Sequence, residues 1–394
     1  MPTPVIVGAA RTAIGRSFKG ALVNTPPETL ITTVLPEVVR RSGVDPAEID
    51  DIVFAESHYG GGDLARYAAD ATGLSHVPGQ SVNRHCAGSL TAIGNASAQI
   101  GSGMERVLIA GGVQSLSMTP LTNWRIPGPE LKFEERWMPP THVETPDAPA
   151  KDMSITVGWN TAQSYGITRE ELDEFGLMSH QRAAEATDQG YFTAEIVPLN
   201  IKLEDGSADI HDRDEGIRAE ASLEGMQSLN TLREGGVITA GTASQISDGA
   251  AAVMIANADA IARYNLPVRA RIKALAVVGS DPVIMLEGPI PATRKVLEKA
   301  GLSIDDIDLY EVNEAFGSVP LAWAKALGAD MNKLNVNGGA QALGHPLGGT
   351  GAKLMTTLVH ELERRQARYG LVAICEGGGT ANAMIIERMD STTN

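Results

Sequence analysis

The sequence predicts an α/β fold made of two related halves with a long segment inserted between them. Three observations carry this. The stretch SGVDPAEIDDIVF at 42–54 matches AGLSIDDIDLYEV at 300–312, a constant offset of 258 residues. Further on, SVNRHC at 81–86 resembles NVNGGA at 335–340, and RVLIAGG at 106–112 parallels LVAICEGG at 371–378. Between the halves, the chain from Thr119 to Ala240 changes character, opening with a stretch rich in Pro, Trp and charge that has no clear period.

Each element follows from local chemistry. Gly43 and Gly301 end helices, an acidic turn follows, and a short apolar strand begins. A helix and a β-branched run then lead to a pair of glycines. Helix, strand, loop, helix, strand in each half is the pattern of buried parallel strands with helical crossovers. In the middle segment Thr168 and Glu171 form a capping box, and Leu172, Phe175 and Met178 recur at helical spacing until Gly190. Long irregular stretches in compact proteins are usually functional or covering segments. The expected division is therefore a first half of residues 1–118 plus 241–264, a loop or lid domain of 119–240, and a second half of 265–394.

Composition narrows the function. Hydrophobic residues make up 43% and charged residues 20% of 394, which suits a folded globular chain with a large core. No apolar run reaches the roughly 20 residues of a membrane helix, so no membrane association is expected. The opening MPTPVIVGAARTAIGR lacks the basic and apolar regions of a signal peptide, so a cytoplasmic location is expected. A net charge of -16 repels nucleic acid phosphates. It equally means that a polyanionic ligand would need local cations or helix N-termini.

Only two cysteines occur, Cys86 and Cys375, far apart in sequence. Buried structural thiols would account for them by composition alone, but their settings suggest more. Cys86, in VNRHCAGSLTAIGNASAQIGSG, stands where a strand turns into an alanine-rich helix. A helix N-terminus favours thiolate and offers backbone donors to an oxyanion. The adjacent His85 points to the opposite face in extended chain, which argues against it as the base. His345 lies in NGGAQALGHPLGGTGAK, locked between glycines and Pro346 before a helix, a setting suited to a general base. Cys375 ends the strand GLVAIC and runs into Glu376 and three glycines. Strand ends of this kind form the active crevice of α/β sheets, and a thiol there could move protons; a core cysteine is the plain alternative. Asn313 and Glu314 end the strand LYEV, where a buried Asn can orient a donor or a water. The turn TAGTASQISDGAAAVMI could bind a polar ligand through its backbone or be purely structural.

Taken together, VNRHCAGSL, TAGTASQISDGAAAV, GPIPATRKVLEKAG, NEAF, GGAQALGHPLGGTGAK and CEGGGTANAMIIE resemble the thiolases, in family order and over essentially the whole chain. The resemblance implies a duplicated five-layered α-β-α-β-α fold with an inserted loop domain. It also implies CoA-dependent thiolytic cleavage of a 3-oxoacyl-CoA, with coenzyme A as co-substrate, no permanently bound cofactor and no metal. By it, Cys86 is the acylated nucleophile, His345 its base, and Cys375 the acid/base at the substrate α-carbon or CoA thiol. Asn313 would hold a water that forms one oxyanion hole with His345, and the N–H groups of Cys86 and Gly377 would form the other. Ser244 would touch the pantetheine arm, Arg218 would contact CoA, and Met153 and Met285 would wall the acyl pocket. A homodimer or homotetramer is implied. Condensation of two acetyl-CoA molecules is the alternative direction. A decarboxylating condensing enzyme would carry His or Asn in place of Cys375, and a non-catalytic acyl-CoA-binding relative should have lost one of the three catalytic residues.

The departures from the family pattern cluster around the substrate. Ala87, Gly88 and Ser89 follow the nucleophile in an altered order, and Asp152, Met153 and Ser154 stand in place of a His-Met-Gly stretch. The usual Pro and Phe are missing from SLNTLREGG, and a Gln-rich loop is missing before the nucleophile. With Met153 and Met285 lining the pocket, acyl groups longer than acetoacetyl are expected to be preferred.

Overall fold

The computed structural model describes residues 2–57, 62–118, 142–148, 153–203 and 206–389. Its first half contains β1 (Val5–Thr12), β2 (Gly15–Arg16), α1 (Pro27–Ser42), β3 (Asp51–Glu56), α2 (Leu64–Ala71), β4 (Gln80–Val82), α3 (Gly88–Ser102) and β5 (Val107–Ser115). The stretch that follows contains α4 (Met153–Ser164), α5 (Arg169–Asp188), β6 (Ile196–Val197), β7 (Leu199–Lys202), β8 (Ala208–His211) and α6 (Leu223–Gln227). Then come β9 (Ser247–Ala256) and α7 (Ala258–Tyr264). The second half contains β10 (Ala270–Gly279), α8 (Pro289–Ala300), β11 (Leu309–Val312), α9 (Ser318–Leu327), α10 (Ala340–Leu343), α11 (Thr350–Arg365), β12 (Tyr369–Glu376) and β13 (Thr380–Arg388).

The duplication read from the sequence is written into the sheet. Its order is β11-β12-β13-β10-β1-β9-β5-β3-β4, with β2 on β9 and β6 on β1. Outward from the centre, β10, β13, β12, β11 repeat the series β1, β9, β5, β3. The pairings repeat too: β3/β5 and β11/β12 are parallel, whereas β5/β9, β1/β9, β12/β13 and β10/β13 are antiparallel. The halves join where β1 meets β10 through Val5↔Arg271 and Ile6↔Ala270. The equivalent helix ends agree in detail, because Gly43 and Gly301 both stop their helices in the left-handed region, at φ 70 and φ 67.

The expected all-parallel arrangement is corrected: β3/β4, β3/β5, β11/β12 and β1/β6 are parallel, but the pairs among β1, β5, β9, β10, β12 and β13 are antiparallel. The reason is the connection between β12 and β13. Only Gly377, Gly378 and Gly379 join them, and a link that short makes a hairpin rather than a crossover. Gly378 and Gly379 take φ 88 and φ 72, which is why glycine occupies the turn. In the first half the corresponding strands, β5 and β9, are joined instead by the whole stretch from 116 to 246.

Burial explains the layers. Along β5, Val107 and Ile109 face one core cluster while Leu108 and Ala110 face another. Along β12, Leu371, Ala373 and Cys375 face one side and Val372 and Ile374 the other. Strands buried on both faces read as continuous apolar runs, which is how VLIAGG and LVAIC look. Helices α1 and α2 cover the outside of the first sheet half, α8 and α9 cover the second, and α3 and α11 pack together between them. This is the five-layered fold. Helix α3 buries Leu90, Ala92, Ile93, Ala96 and Ile100 and exposes only Asn95, Ala98 and Ser102, and this close packing suits its small, uncharged sequence.

Candidate active site

The two central helices point their N-terminal ends into one crevice. Cys86 occupies a single 3-10 turn, His85–Ala87, just before α3. Opposite it lies the turn Leu347–Gly349, just before α11. The two turns touch each other, and the Cys86 turn also packs on the end of β12. This close approach depends on Gly112 of β5: a Cβ there would lie 2.1 Å from the Gly348 carbonyl oxygen. Gly112, the second glycine of the pair that ends the first-half β-branched run, therefore lets the loop after His345 settle against the sheet.

His345 is almost fully buried and rigidly held. Its backbone N–H donates to the Gln245 carbonyl (3.1 Å) and to Ser247 Oγ (3.2 Å). Nδ1 lies 2.7 Å from Thr350 Oγ1, and that hydroxyl donates to the Pro346 carbonyl at 3.1 Å. With its proton committed to Pro346, Thr350 accepts from Nδ1–H, so Nε2 carries the lone pair. The Asn313 side-chain amide meets Nε2 at 3.4 Å through Nδ2. Burial first, and the Lys353 charge second, push His345 down to about 3, so it is a neutral base at any working pH.

Cys86 is half-buried and Cys375 is 1% exposed; both are free thiols. The backbone N–H groups of Gly377 and of Cys86 itself donate to the Cys86 sulfur. Burial nevertheless pushes this thiol up to about 12, with the Glu376 carboxylate adding to the rise. Desolvation and a neighbouring acid thus oppose the pull towards thiolate expected of the helix N-terminus and its backbone donors. Burial and the proximity of Cys86 raise Cys375 well above its ordinary value. Both sulfurs rest protonated, next to a base that rests empty.

The remaining candidates are distributed around this centre. Asn313 is fully buried, and its Oδ1 has no protein partner among the described residues. Met285 is fully buried, and its Sδ accepts from the Gly378 N–H at 3.3 Å. Ser244 donates its N–H to the Ala315 carbonyl (2.9 Å), on a segment that bridges to Phe316 and then to His345. Arg218 is exposed, with its backbone N–H on His180 Nδ1 at 3.2 Å. Met153 begins α4, but its side chain, like Asp152 and the whole of 119–141, lies outside the described residues. Glu314, singled out alongside Asn313, turns away from the sulfurs and accepts from Ser179, Asn335 and Gln341 at 2.8, 2.9 and 3.0 Å. It clamps α5 and α10 to the end of β11. His85 has a positive φ of 43, and burial lowers its basicity.

Sequence reasoning passed over three groups that matter here. Thr350 could have been found, since it follows His345 by five residues at the head of the next helix. Lys353 is 1% exposed, within the same GGTGAK stretch. Glu376 adjoins both sulfurs and carried no signal beyond its place after Cys375.

Two thiols, a neutral imidazole and a buried amide, drawn from both halves of a duplicated fold, define an acyl-transfer centre. Family models for the thiolase N-terminal domain and the thiolase C-terminal domain match residues 4–259 and 266–388. A steroid 3-ketoacyl-CoA thiolase of Mycobacterium tuberculosis is 43% identical over 99% of this chain and 95% of its own length. An acetyl-CoA acetyltransferase of Paracoccus denitrificans is 40% identical over 98% of this chain and 100% of its own. The crystal structure of human mitochondrial 3-ketoacyl-CoA thiolase superposes with a TM-score of 0.90 at 35% identity, covering 98% of this chain and 99% of that one. The chain belongs to the thiolase family and is an acyltransferase.

Proposed function

We propose that the enzyme cleaves 3-oxoacyl-CoA with coenzyme A, releasing acetyl-CoA and a shortened acyl-CoA through an acyl-Cys86 intermediate. The observation that carries this is the pairing of two protonated sulfurs with a neutral base whose free nitrogen is fixed by Thr350. Cys86 gives its proton to His345 Nε2 and attacks C3 of the substrate, forming the S–C bond. The oxyanion at C3 is held by the N–H groups of Cys86 and Gly377, one of which is freed as the sulfur moves. The C2–C3 bond then breaks, and Cys375 protonates C2 of the acetyl-CoA enolate. His345, now carrying Nε2–H, and a water on Asn313 stabilise that enolate oxygen. In the second half-reaction the Cys375 thiolate takes the proton of an incoming CoA thiol. That sulfur attacks the acyl group, and Cys86 leaves and recovers its proton from His345. One oxyanion donor is worth roughly 3 kcal/mol.

For the substrate, acyl groups longer than acetoacetyl are favoured in this reading by the adaptable, buried Met285; a cavity of about 630 Å³ lies against the residues that precede it, Val283 and Ile284, though none of Cys86, His345 and Cys375 lines it. Its walls include Trp159, Leu232, Val283 and Ile284, and Arg233 stacks on Trp159 at 4.6 Å from the ring centroid. Each further buried methylene contributes about 0.8 kcal/mol. Met285 and the side chain of Met153 would wall the acyl end, with Ser244 on the pantetheine arm and the exposed Arg218 on the CoA phosphates. Residues 119–240 would form the lid over this region. CoA is a co-substrate in this reading, not a resident cofactor. Among the described residues no helix is long and apolar enough to cross a membrane, and a cytoplasmic homodimer or homotetramer is proposed. The relatives named as acetyl-CoA acetyltransferases favour a second reading, synthesis of acetoacetyl-CoA. A panel of 3-oxoacyl-CoAs of increasing length, including a bulky steroid side-chain thioester, distinguishes the two. We expect kcat/KM to rise over the first added carbons; a maximum at acetoacetyl-CoA that falls with every carbon would establish the biosynthetic reading instead.

A further inference from the structure

The acyl-transfer steps leave the cavity against Val283 and Ile284 without a task, although its volume is that of a small-molecule site. Helix α4 supplies one wall through Thr156, Trp159 and Asn160, and Leu232 and Arg233 supply another. The floor is stitched to α4. Asn160 Nδ2 donates to the Val283 carbonyl at 2.9 Å, and Thr161 Oγ1 donates to the Ile284 carbonyl at 3.0 Å. The next residue, Met285, shares a buried cluster with Cys375, and Trp159 packs against that same cluster. Because Met285 Sδ also accepts from the Gly378 N–H, it links the cavity floor to the glycine turn after Cys375.

The lining is mixed in character. Trp159, Leu232, Val283 and Ile284 suit an apolar chain, whereas Arg233 brings a positive charge. Its guanidinium stacks on Trp159 at 4.6 Å from the ring centroid, and Nη1 donates to the buried Thr156 Oγ1 at 3.3 Å. Arg11, Arg269, Arg271 and Arg364 all meet carboxylates of their own chain. Arg233 forms no ion pair among the described residues. Asp147, the one acid among the described lining residues, makes none with it and instead offers its backbone carbonyl to Asn160 Nδ2 at 3.1 Å. A guanidinium laid flat on an indole keeps most of its planar fork of N–H groups free, which matches a carboxylate in shape and charge.

We propose that this cavity receives the far end of an acyl chain that terminates in a carboxylate. The preferred substrates are then 3-oxoacyl-CoA half-thioesters of dicarboxylic acids, with Arg233 selecting the terminus and Trp159 and Leu232 lying along the methylenes. This rests on the proposed thiolysis. A guanidinium equally suits the phosphates of CoA, and the experiment separates the two sources.

The test compares kcat/KM for 3-oxoacyl-CoAs of equal carbon number, one ending in carboxylate and one in methyl, in a lengthening series that begins with 3-oxoadipyl-CoA and 3-oxohexanoyl-CoA. The wild type should favour the carboxylate member once the chain is long enough to pass Met285. Arg233→Met keeps an unbranched stem without the charge, and should lower the carboxylate-to-methyl ratio about tenfold, the low end for losing a hydrogen bond to a charged group. Arg233→Lys keeps the charge without the fork, and should lie between. Added salt should weaken the wild-type preference, because Arg233 is exposed. An unchanged ratio in Arg233→Met overturns the proposal. So does a loss shared equally by both members; its disappearance with pantetheine thioesters, which lack the phosphates, would assign Arg233 to CoA instead. If the wild type still cleaves the methyl-ended members through acyl-Cys86, either failure leaves the proposed reaction intact. No thiolysis with any member would overturn that reaction and this inference together.

Discussion

Replacing Thr350 by Val tests whether the imidazole is held as a base by one hydroxyl. The change keeps volume and shape but removes the acceptor 2.7 Å from His345 Nδ1. A buried N–H left without a partner costs about 1–3 kcal/mol. The ring can escape that cost by moving its proton to Nε2. Asn313 favours this, because its Oδ1 has no partner among the described residues and a flipped amide would present it to Nε2–H. The relief comes at the expense of the base. If the whole penalty appears in the transition state, kcat/KM falls roughly 5- to 150-fold, at about 1.4 kcal/mol per decade. Thermal stability should drop only modestly. The assay is CoA-dependent loss of 3-oxoacyl-CoA absorbance, run beside thermal unfolding, with Thr350→Ser as the control that restores the hydroxyl. A Thr350→Val enzyme within twofold of wild type, or a loss that Ser does not rescue, would refute the reasoning.

Three further outcomes follow from the same site. Incubation with 3-oxoacyl-CoA and no free CoA should leave an acyl adduct on Cys86 by peptide mass spectrometry, and an adduct confined to Cys375 would reverse the two assignments. Cys375→Ala should still acylate Cys86 slowly yet lose α-proton exchange of acetyl-CoA in deuterated buffer; exchange at the wild-type rate would mean that another group moves that proton. Finally, burial holds His180 and His360 down to about 4, and His345 lower still, against about 6.5 in an unfolded chain. Between those values the unfolded chain binds more protons, so stability rises with pH and is lost on acidification from about 6.5 towards 4, by up to about 1.4 kcal/mol per pH unit for each histidine. His360→Gln should flatten the fall in melting temperature over that window, and an unchanged slope would show that other groups govern it.

How much could be read in advance varies with distance along the chain. The helix-ending glycines at 43 and 301, the capping box at Thr168 and Glu171, and the offset repeat were legible because each is a local agreement between residue type and backbone geometry. The direction of the strands was not. The glycines after Cys375 read as the end of a strand at the active crevice, and only their span of three residues, once both flanking strands were seen to pair, made them a hairpin. In the site, Cys86, His345 and Cys375 stood out because each occupies an unusual turn. Thr350 and Glu376 did not, since their importance lies in what they face. Of the substrate side, Met285 is in place beside Gly378, while Met153's side chain and Asp152 lie outside the described residues.

By itself the sequence determined the duplication, the family, and which residues can carry acyl-transfer chemistry, because those depend on short patterns and on functional groups. The tertiary structure decided their protonation. Helix-terminus reasoning alone favours a thiolate at Cys86 and leaves the tautomer of His345 open. Packing buries the sulfur beside Glu376, commits the Thr350 proton to Pro346, and so sets a neutral base against two protonated thiols. Desolvation and charge–charge terms depend on groups brought together from across the chain, such as Cys86 with Glu376 and His345 with Lys353. No local pattern contains that information, because the energies arise only when water has been excluded from between the partners.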